Sequence, residues 1–207
     1  LAWNDAATYS YYCSNNTIYG TRWKRTPSSP TPLISDMSSE MYSRPIHWES
    51  HDMVYAGAQK NLGPAGVTLV AIRRNILEQA STDLPSMLRY DIHADKGSRY
   101  NTPPVFAIYF LGKVFDWIRT NGGLQGIEAM NERKATCIYN AIDDSGGFYT
   151  GHAAVEDRSR MNITFRCPSE ELEAAFIKQA SDHDMENLKG HRSVGGLRAS
   201  IYNAFPE

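Results

Sequence analysis

The sequence predicts an α/β fold, because short β-prone segments alternate with longer stretches of helical periodicity along its 207 residues. Segments 33–36, 53–56 and 67–73 are apolar or β-branched and are bounded by Gly, Pro or Ser, as strands commonly are. Apolar residues recur at helical spacing in the second half of the chain. A chain of this length can bury one large core or two modest ones.

The composition is that of an ordinary globular protein, with 42% hydrophobic and 21% charged residues. A net charge of −2 supplies no basic field for nucleic acid, and no apolar stretch reaches the roughly 18 residues that a membrane span needs. We therefore expect neither nucleic acid nor a membrane as a partner. The 3 cysteines are odd in number and widely spaced, which favours reduced structural thiols and a cytoplasmic location.

The carboxylate of Asp36 follows the first predicted strands of the chain. Residues 7–13 are predicted to form a strand, 14–16 a turn, and 26–32, rich in Pro and Ser, an exposed loop. A second strand ends in Asp36, and two serine hydroxyls follow it. Taken alone, Asp36 fits a helix N-cap or an Asx turn before Ser38.

The run 55–66 predicts a lysine presented at the mouth of a glycine-rich turn. Strands on both sides place Lys60 at a sheet edge that faces a cleft. Small residues at 56–58 let a bulky group approach the backbone, and Gly63, Pro64 and Gly66 supply turn dihedrals. An isolated lysine is ordinarily a solvated charge, but this setting favours a catalytic role for Lys60.

A carboxylate followed by such a lysine is typical of enzymes that use pyridoxal 5′-phosphate. The lysine amine condenses with the cofactor aldehyde, and the buried carboxylate keeps the pyridine nitrogen protonated so that the ring accepts electrons. Asp36 and Lys60 together therefore define the hypothesis of a catalytic cofactor site.

The second half of the chain is predicted to be mainly helical, with helices at 103–121, 125–143 and 169–184 and a strand at 161–165. Thr102 before two prolines is a helix-start pattern, in which a hydroxyl caps the helix and proline occupies its first turn. The apolar residues of the first helix should face the core: Phe106, Tyr109, Phe110, Val114, Trp117 and Ile118. A small C-terminal domain should begin near residue 130.

Four motifs carry a resemblance to a known family. They are Gly57-Ala-Gln-Lys-Asn-Leu-Gly-Pro-Ala-Gly66, Asp36-Met-Ser-Ser39, Asn101-Thr-Pro-Pro104 and Gly190-His-Arg-Ser-Val-Gly-Gly-Leu-Arg-Ala-Ser-Ile-Tyr-Asn203. In this order they resemble phosphoserine aminotransferases over about residues 11–204, and the last motif is more specific than the lysine motif. The resemblance implies a fold-type-I transferase dependent on pyridoxal phosphate, with 1–130 in its large mixed-sheet domain and 131–207 in a small α/β domain that is incomplete at its end.

The resemblance also implies an activity. Family members exchange an amino group between O-phospho-L-serine with 2-oxoglutarate and 3-phosphohydroxypyruvate with L-glutamate, in serine biosynthesis, as homodimers with shared active sites. The chain is similar to the C-terminal portion of the family, which places the expected phosphate loop and ring-stacking aromatic upstream of it. A cysteine desulfurase, a small-amino-acid:glyoxylate aminotransferase and an inactive remnant are the alternatives.

Four residues receive roles at the cofactor from this resemblance. Lys60 would hold the cofactor and transfer protons, and Asp36 would pair with the pyridinium nitrogen. Thr17 would bond near the phenolic oxygen, and Gln59 would contact the phosphate. A simple turn hydroxyl is the alternative for Thr17.

Five further residues receive roles toward the partner subunit or the substrate. Asn101 and Thr102 would reach the phosphate of the partner subunit's cofactor, with plain helix capping as the alternative. Arg198 would bind the substrate α-carboxylate, while His191 and Arg192 would bind its phosphate or distal carboxylate, because the guanidinium group binds such anions through two hydrogen bonds. A surface charge without a ligand is the alternative for these cations.

No metal site is predicted. His47 and His51 are four residues apart, but Pro45 and β-prone neighbours disfavour the helix on which such a pair would bind a metal.

Overall fold

The computed structural model describes residues 2–207, which form two sheets, a short ribbon and five α-helices. The strands are β1 (Ser10–Cys13), β2 (Asn15–Asn16), β3 (Thr21–Arg22), β4 (Leu33–Asp36), β5 (Met53–Gly57), β6 (Thr68–Ile72), β7 (Thr150–Gly151), β8 (Asn162–Arg166) and β9 (Leu197–Ser200). The helices are α1 (Arg74–Glu78), α2 (Tyr90–Asp95), α3 (Val105–Thr120), α4 (Gly123–Asp143) and α5 (Glu170–Ser181). The predicted α/β class is confirmed.

The larger sheet has the order β1-β4-β5-β6, with β1, β4 and β5 parallel and β6 antiparallel. Its register aligns Cys13 with Asp36 and Asp36 with Tyr55, so the carboxyl ends of three parallel strands meet at one edge. Open α/β sheets bind ligands outside that edge. A buried cluster packs beneath it, formed by Met37, Met41, Val54, Ala56, Ala58 and Leu62.

Residues 14–16 do not form the predicted turn. Asn15 and Asn16 form β2, which pairs with β3, and the turn follows them. The Asn15 side chain is buried and donates to Ser39 Oγ and Asn162 Oδ1, each at 2.9 Å. Turn-prone residues enter a strand here because distant side chains satisfy the buried amide.

The smaller sheet has the order β7-β8-β9, and its neighbours are antiparallel. Helices α4 and α5 cover one face, where the core includes Ala135, Tyr139, Ile142, Ile163, Phe165, Leu197 and Ala199, with Phe176 and Ile177 packed against it. Alternation along the strands leaves Thr164 and Arg198, which are register partners, on the other face. That face turns toward the β2–β3 ribbon, because the Thr164 hydroxyl donates to the Tyr19 carbonyl at 2.9 Å.

Helix α3 begins later than predicted. Its first residue is Val105, Pro104 occupies the N-cap position, and no side chain caps the helix, so the prediction that Thr102 does so is wrong. Asn101 and Thr102 lie in the exposed segment before the helix. A residue that precedes a proline is held away from the helical conformation, which delays the start past both prolines.

Three aromatic residues of α3 are not in the core. Phe106, Tyr109 and Phe110 are 73%, 60% and 45% exposed, so the prediction that they face the core is wrong. Ile118, near the other end of the helix, is buried as expected. Helical spacing identifies a common face but not the surface that covers it.

Helix α4 runs across the domain boundary predicted at residue 130. At 21 residues it is the longest described helix, and within 2–207 no helix combines the length and apolar character needed to cross a bilayer. Asn131, at its middle, donates to the Ser43 carbonyl at 3.1 Å and to Asn203 Oδ1 at 2.8 Å. The helix therefore contacts both parts of the chain, and the division at 130 stays a prediction.

Lys134 anchors the segment that follows β9. Its side chain on α4 is buried, and its amine donates at 2.9–3.3 Å to the backbone carbonyls of Ile201, Tyr202, Asn203 and Phe205. Burial lowers the pKa of Lys134 to about 8. The three N–H groups of one buried ammonium are thus shared among four carbonyls of the segment after β9.

Replacing Lys134 by Met should lower the free energy of unfolding by about 2–4 kcal/mol, because an apolar chain fills the space but leaves buried carbonyls without a donor. Lys178 is exposed on α5 and paired with Asp182, so Lys178→Met should change it by less than about 0.5 kcal/mol. Urea unfolding followed by circular dichroism measures both values. Equal effects of the two substitutions would contradict the anchoring role of Lys134.

Candidate active site

The candidate site is built at the carboxyl edge of the larger sheet, beginning with Asp36 at the end of β4. Asp36 Oδ1 accepts a hydrogen bond from the Ser38 amide at 2.8 Å, so the Asx turn considered from the sequence is present. Ser38 Oγ accepts from the Gly57 amide at 3.1 Å, which ties the end of β4 to the end of β5. These contacts orient the carboxylate at the end of β4.

Lys60 lies in the turn between β5 and β6, as predicted. The Ala58 carbonyl accepts from the amides of Leu62 and Gly63 at 3.1 and 2.7 Å. Ala58 and Leu62 are buried in the core, so the packing of these two side chains fixes the turn. Gly63 has a φ of 146°, a conformation that residues with side chains rarely adopt. A rigid turn therefore presents the half-buried lysine.

Neighbouring groups perturb the amine of Lys60. Burial lowers the pKa of Lys60, the charges of Asp36 and Cys13 oppose this shift, and the positive charge of Arg198 reinforces it. The Asp36 carboxylate acts on Lys60 through its charge, and no ion pair or hydrogen bond joins the two side chains within residues 2–207. A lowered pKa makes the amine a better nucleophile near neutral pH.

Arg198 approaches the site from β9 of the smaller sheet. Its Nη1 donates to the Thr17 carbonyl at 3.2 Å, which brings two predicted site residues together. Its Nε is buried and has no hydrogen-bond partner among residues 2–207. The same holds for the Nε atoms of Arg22 and Arg158. The position of Arg198 near Lys60 is therefore what favours an anionic ligand at this guanidinium.

The loop before β9 carries the other two predicted cations. The Gly190 amide donates to the Gly196 carbonyl, and the Gly195 amide to the His191 carbonyl, each at 2.8 Å. A Cβ on Gly190 would collide with the Gly195 carbonyl, and Gly195 and Gly196 have φ values of 69° and 70°. The spacing of glycines in this run is thus required by the tight loop.

The side chains of His191 and Arg192 form no hydrogen bond with the lysine turn within residues 2–207. His191 Nδ1 shares a hydrogen bond of 2.7 Å with Ser193 Oγ, and Arg192 is exposed. Within residues 2–207 the structure brings neither of them into hydrogen bonding with Lys60 or Asp36. Their binding of a distal anionic group stays a prediction.

The remaining predicted cofactor residues are exposed. Gln59 precedes Lys60 and folds its side chain over Gly57, where an added Cβ would meet Gln59 Oε1 at 2.5 Å. Asn101 and Thr102 lie before α3, and the described hydrogen bond of the Asn101 side chain goes to the Thr102 carbonyl at 3.3 Å. Their expected ligand belongs to a second subunit, and their contact with it stays a prediction.

A cavity of about 390 Å³ opens beside Thr17, between the β2–β3 turn and the exposed face of the smaller sheet. Its lining includes Ile18, Tyr19, His152, Thr164, Arg166 and Val194. The ring centroids of Tyr19 and His152 are 5.0 Å apart. The cavity adjoins Arg198 through Thr164, its register partner, and provides room on the same face of the sheet.

Sequence reasoning missed three residues around Lys60. Cys13 and Tyr55 flank Asp36 in the register, and the hydrogen bond with Tyr11, together with burial, raises the pKa of Tyr55. Alternation within each strand could have assigned them to one face, but not the pairing that aligns them. Asn61 directly follows Lys60 and is 5% exposed.

Metal-binding groups are not part of this arrangement. Residues 2–207 contain no group of three or more His, Cys, Asp or Glu side chains placed to hold a metal ion. His51 is buried, with Nε2 bonded to the Tyr12 hydroxyl at 2.7 Å and Nδ1 to the His47 carbonyl at 2.9 Å. Burial lowers the pKa of His51, so it is a neutral, fully bonded core residue.

A lysine turn beside a carboxylate at the edge of a mixed sheet is the arrangement of an amino-group transferase, and comparison with protein families agrees. The family model described as aminotransferase class-V matches residues 4–207. The chain belongs to this family.

Within the family, the similar proteins are phosphoserine aminotransferases. That of Lysinibacillus sphaericus is 53% identical over 207 residues, which is 100% of this chain and 57% of the relative. The structure of the enzyme from Bacillus circulans subsp. alkalophilus matches with a TM-score of 0.96 and 52% identity, covering 99% of this chain and 57% of the other. The PLP-bound enzyme of Trichomonas vaginalis matches with a TM-score of 0.93 and 42% identity, covering 99% and 58%. The chain thus spans little more than half the length of these relatives.

Asp36→Asn should lower the pKa of Lys60 further, because it removes the carboxylate that stabilises the ammonium form but keeps an oxygen for the Ser38 amide. A larger neutral fraction of Lys60 should then react at any pH below its pKa. The pH dependence of reductive methylation at Lys60, read by peptide mass spectrometry, measures this. Asp182→Asn, at the C-cap of α5, is the control and should leave the pKa of Lys60 unchanged. A pKa of Lys60 that rises in Asp36→Asn would refute the assignment.

Proposed function

We propose that this chain takes part in pyridoxal phosphate-dependent amino transfer between O-phospho-L-serine with 2-oxoglutarate and 3-phosphohydroxypyruvate with L-glutamate. The observation that carries the proposal is the Lys60–Asp36 pair at the edge of the sheet, an amine of lowered pKa and a carboxylate that is fixed by an Asx turn and acts on the amine through its charge. Similarity of nearly the whole chain to phosphoserine aminotransferases supports the choice of substrate.

The residues present fit the cofactor. The lowered pKa of Lys60 favours the neutral amine that attacks an aldehyde, and the Asx turn holds Asp36 as a fixed anion for a pyridinium nitrogen. When bound, the cofactor supplies the electron sink that accepts the electron pair released at the substrate Cα.

Three side chains have separate roles in the proposed reaction. Arg198 binds the substrate α-carboxylate through its unpaired N–H and orients Cα toward Lys60. Asp36 keeps the proton on the ring nitrogen. The amine of Lys60 would act as the base that removes the proton from the substrate Cα, a positioned transfer worth about 10²–10⁴ in rate. Thr17 and Gln59 would hold the cofactor near its phenolic oxygen and its phosphate.

The distal end of the substrate requires further positive charge. Phosphoserine and glutamate each carry a second anionic group, and His191 with Arg192 supplies cations on the loop that leads into the strand of Arg198. We assign them to the phosphate or distal carboxylate. The pathway that follows is serine biosynthesis, and three cysteines without disulfides support a reducing, cytoplasmic compartment.

Trapping of the cofactor tests the proposal directly. After incubation with pyridoxal phosphate and borohydride reduction, peptide mapping should locate the adduct on Lys60, and Lys60→Ala should abolish both the adduct and turnover of O-phospho-L-serine. Lys178→Ala, on the exposed face of α5, should retain both. An unmodified Lys60 in the unaltered protein would favour the inactive remnant. An adduct with turnover of cysteine or of alanine with glyoxylate, and none of phosphoserine, would favour another class-V enzyme.

We also propose that the protein is a homodimer with shared active sites. The aromatic face of α3, formed by Val105, Phe106, Tyr109 and Phe110, is exposed and directly follows the Asn101–Thr102 segment that we assign to the partner's cofactor phosphate. Clustered exposed apolar side chains of this kind are typical of protein interfaces.

Phe106→Glu should shift the protein from dimer to monomer, because it places a charge on an aromatic position that a dimer would bury. Leu172→Glu is the control: Leu172 is 40% exposed on α5, far from this face in sequence, and its substitution should leave the dimer intact. Light scattering coupled to size-exclusion chromatography gives the mass of each variant. A monomeric unaltered protein, or a dimer that survives Phe106→Glu, would contradict the proposed interface.

A further inference from the structure

A cluster of buried asparagine side chains joins the lysine turn to two other parts of the chain. Asn61, Asn131 and Asn203 are 5%, 2% and 1% exposed. They come from three separate parts of the chain: the lysine turn, α4 and the segment after β9. Apart from Asn131 Oδ1, which has no partner within residues 2–207, the polar side-chain atoms of this cluster are bonded, and such networks fix one arrangement of the surrounding backbone.

Asn61 contacts the segment that follows β9. Its Oδ1 accepts from the Asn203 backbone amide at 3.0 Å, and its Nδ2 lies 3.5 Å from Met161 Sδ. The first contact is a hydrogen bond of good geometry, and the second is a weak one because the thioether is a poor acceptor. The carbonyl of the Asn61 side chain is therefore the part that joins the two segments.

Asn203 is itself held from two other directions. Its Nδ2 donates to the Tyr42 carbonyl at 2.9 Å, and its Oδ1 accepts from Asn131 Nδ2 at 2.8 Å. Asn131 also donates to the Ser43 carbonyl. The Asn203 backbone is thus a fixed point against which Asn61 is placed.

The bond couples the two principal groups of the candidate site. Asn61 is adjacent to Lys60, and Asn203 follows Arg198 by five residues. Between them, the Ile201 amide donates to the Met161 carbonyl at 2.9 Å, which fixes the end of β9 to the beginning of β8. A shift of Asn61 relative to Asn203 would therefore move the lysine turn relative to the strand of Arg198.

We propose that Asn61 is a positioning residue that sets the separation between the Lys60 amine and the Arg198 guanidinium. The inference deepens the proposed function, on which it rests: if Arg198 binds the carboxylate and Lys60 moves the proton at Cα, their separation determines whether the amine reaches that carbon. Misplacement of a reacting group by about 1 Å can lower a rate by about 10²-fold.

Asn61→Leu tests the inference, with Met161→Leu as its matched control. Leucine has the same branched shape and number of side-chain heavy atoms as asparagine but accepts no hydrogen bond, whereas Met161→Leu removes only the weak sulfur contact and nearly conserves volume. In the holoenzyme, Asn61→Leu should lower kcat for O-phospho-L-serine by about 10–100-fold with KM changed less than about threefold. Met161→Leu should leave both within about twofold of the unaltered enzyme.

A second readout does not depend on turnover. The charge of Arg198 lowers the pKa of Lys60, so a separation of the two groups should raise it, measured on the cofactor-free protein by pH-dependent methylation of Lys60. Asp36 and Cys13, the other charged or titratable groups that act on Lys60, lie on the larger sheet with it and should exert the same effect in both variants. Met161→Leu should not change the pKa of Lys60.

A purely structural role for Asn61 predicts a different pattern. The melting temperature of Asn61→Leu would fall while kcat and the pKa of Lys60 in the folded protein stayed at their original values, and that result would overturn the inference. If Asn61→Leu does not fold, Asn61→Ser, whose hydroxyl is too short to reach the Asn203 amide, carries the same expectation. If the unaltered protein shows no turnover but Asn61→Leu still raises the pKa of Lys60, the positioning role stands and the proposed function fails.

Discussion

Parallel pairing of β1, β4 and β5 is the constraint on which the candidate site depends. Parallel strands present their carboxyl ends at the same edge, and the register here sets Cys13, Asp36 and Tyr55 side by side. The lysine turn follows the last of these strands, so its amine returns over the same edge. A shift of one residue in the β4 register would turn Asp36 to the opposite face and separate it from Lys60.

Buried amide networks then hold the smaller sheet against this edge. Asn15 bonds Ser39 in one part of the chain and Asn162 and Ser159 in the other, while Asn61, Asn203 and Asn131 form a second set of contacts. Hydrogen bonds have strict geometry, whereas apolar contacts tolerate sliding. Arg198 therefore approaches Lys60 in a defined position, although it lies on a different sheet.

The first half of α3 illustrates the limit of a hydrophobic pattern. Phe106, Tyr109 and Phe110 have the spacing of core residues, yet they are exposed, and Leu111 and Phe115 contact the larger core instead. The sequence shows that one side of a helix is apolar but contains no signal that separates a core from an interface. The same limit applies to Asn15, whose local preference for a turn is outweighed by partners more than a hundred residues away.

The sequence by itself determined the α/β class, the turn that presents Lys60 and the strand that ends in Asp36, because each depends on the local periodicity and turn chemistry of a few residues. Similarity of motifs along the chain also determined its family. Only the tertiary structure decided that Arg198 bonds the carbonyl of Thr17, that Cys13 lies beside Asp36, that α3 starts after both prolines with an exposed aromatic face, and that Asn61 reaches Asn203. Most of these facts depend on strand register and on contacts between distant segments, which arise when many buried groups are satisfied together and which no local pattern encodes.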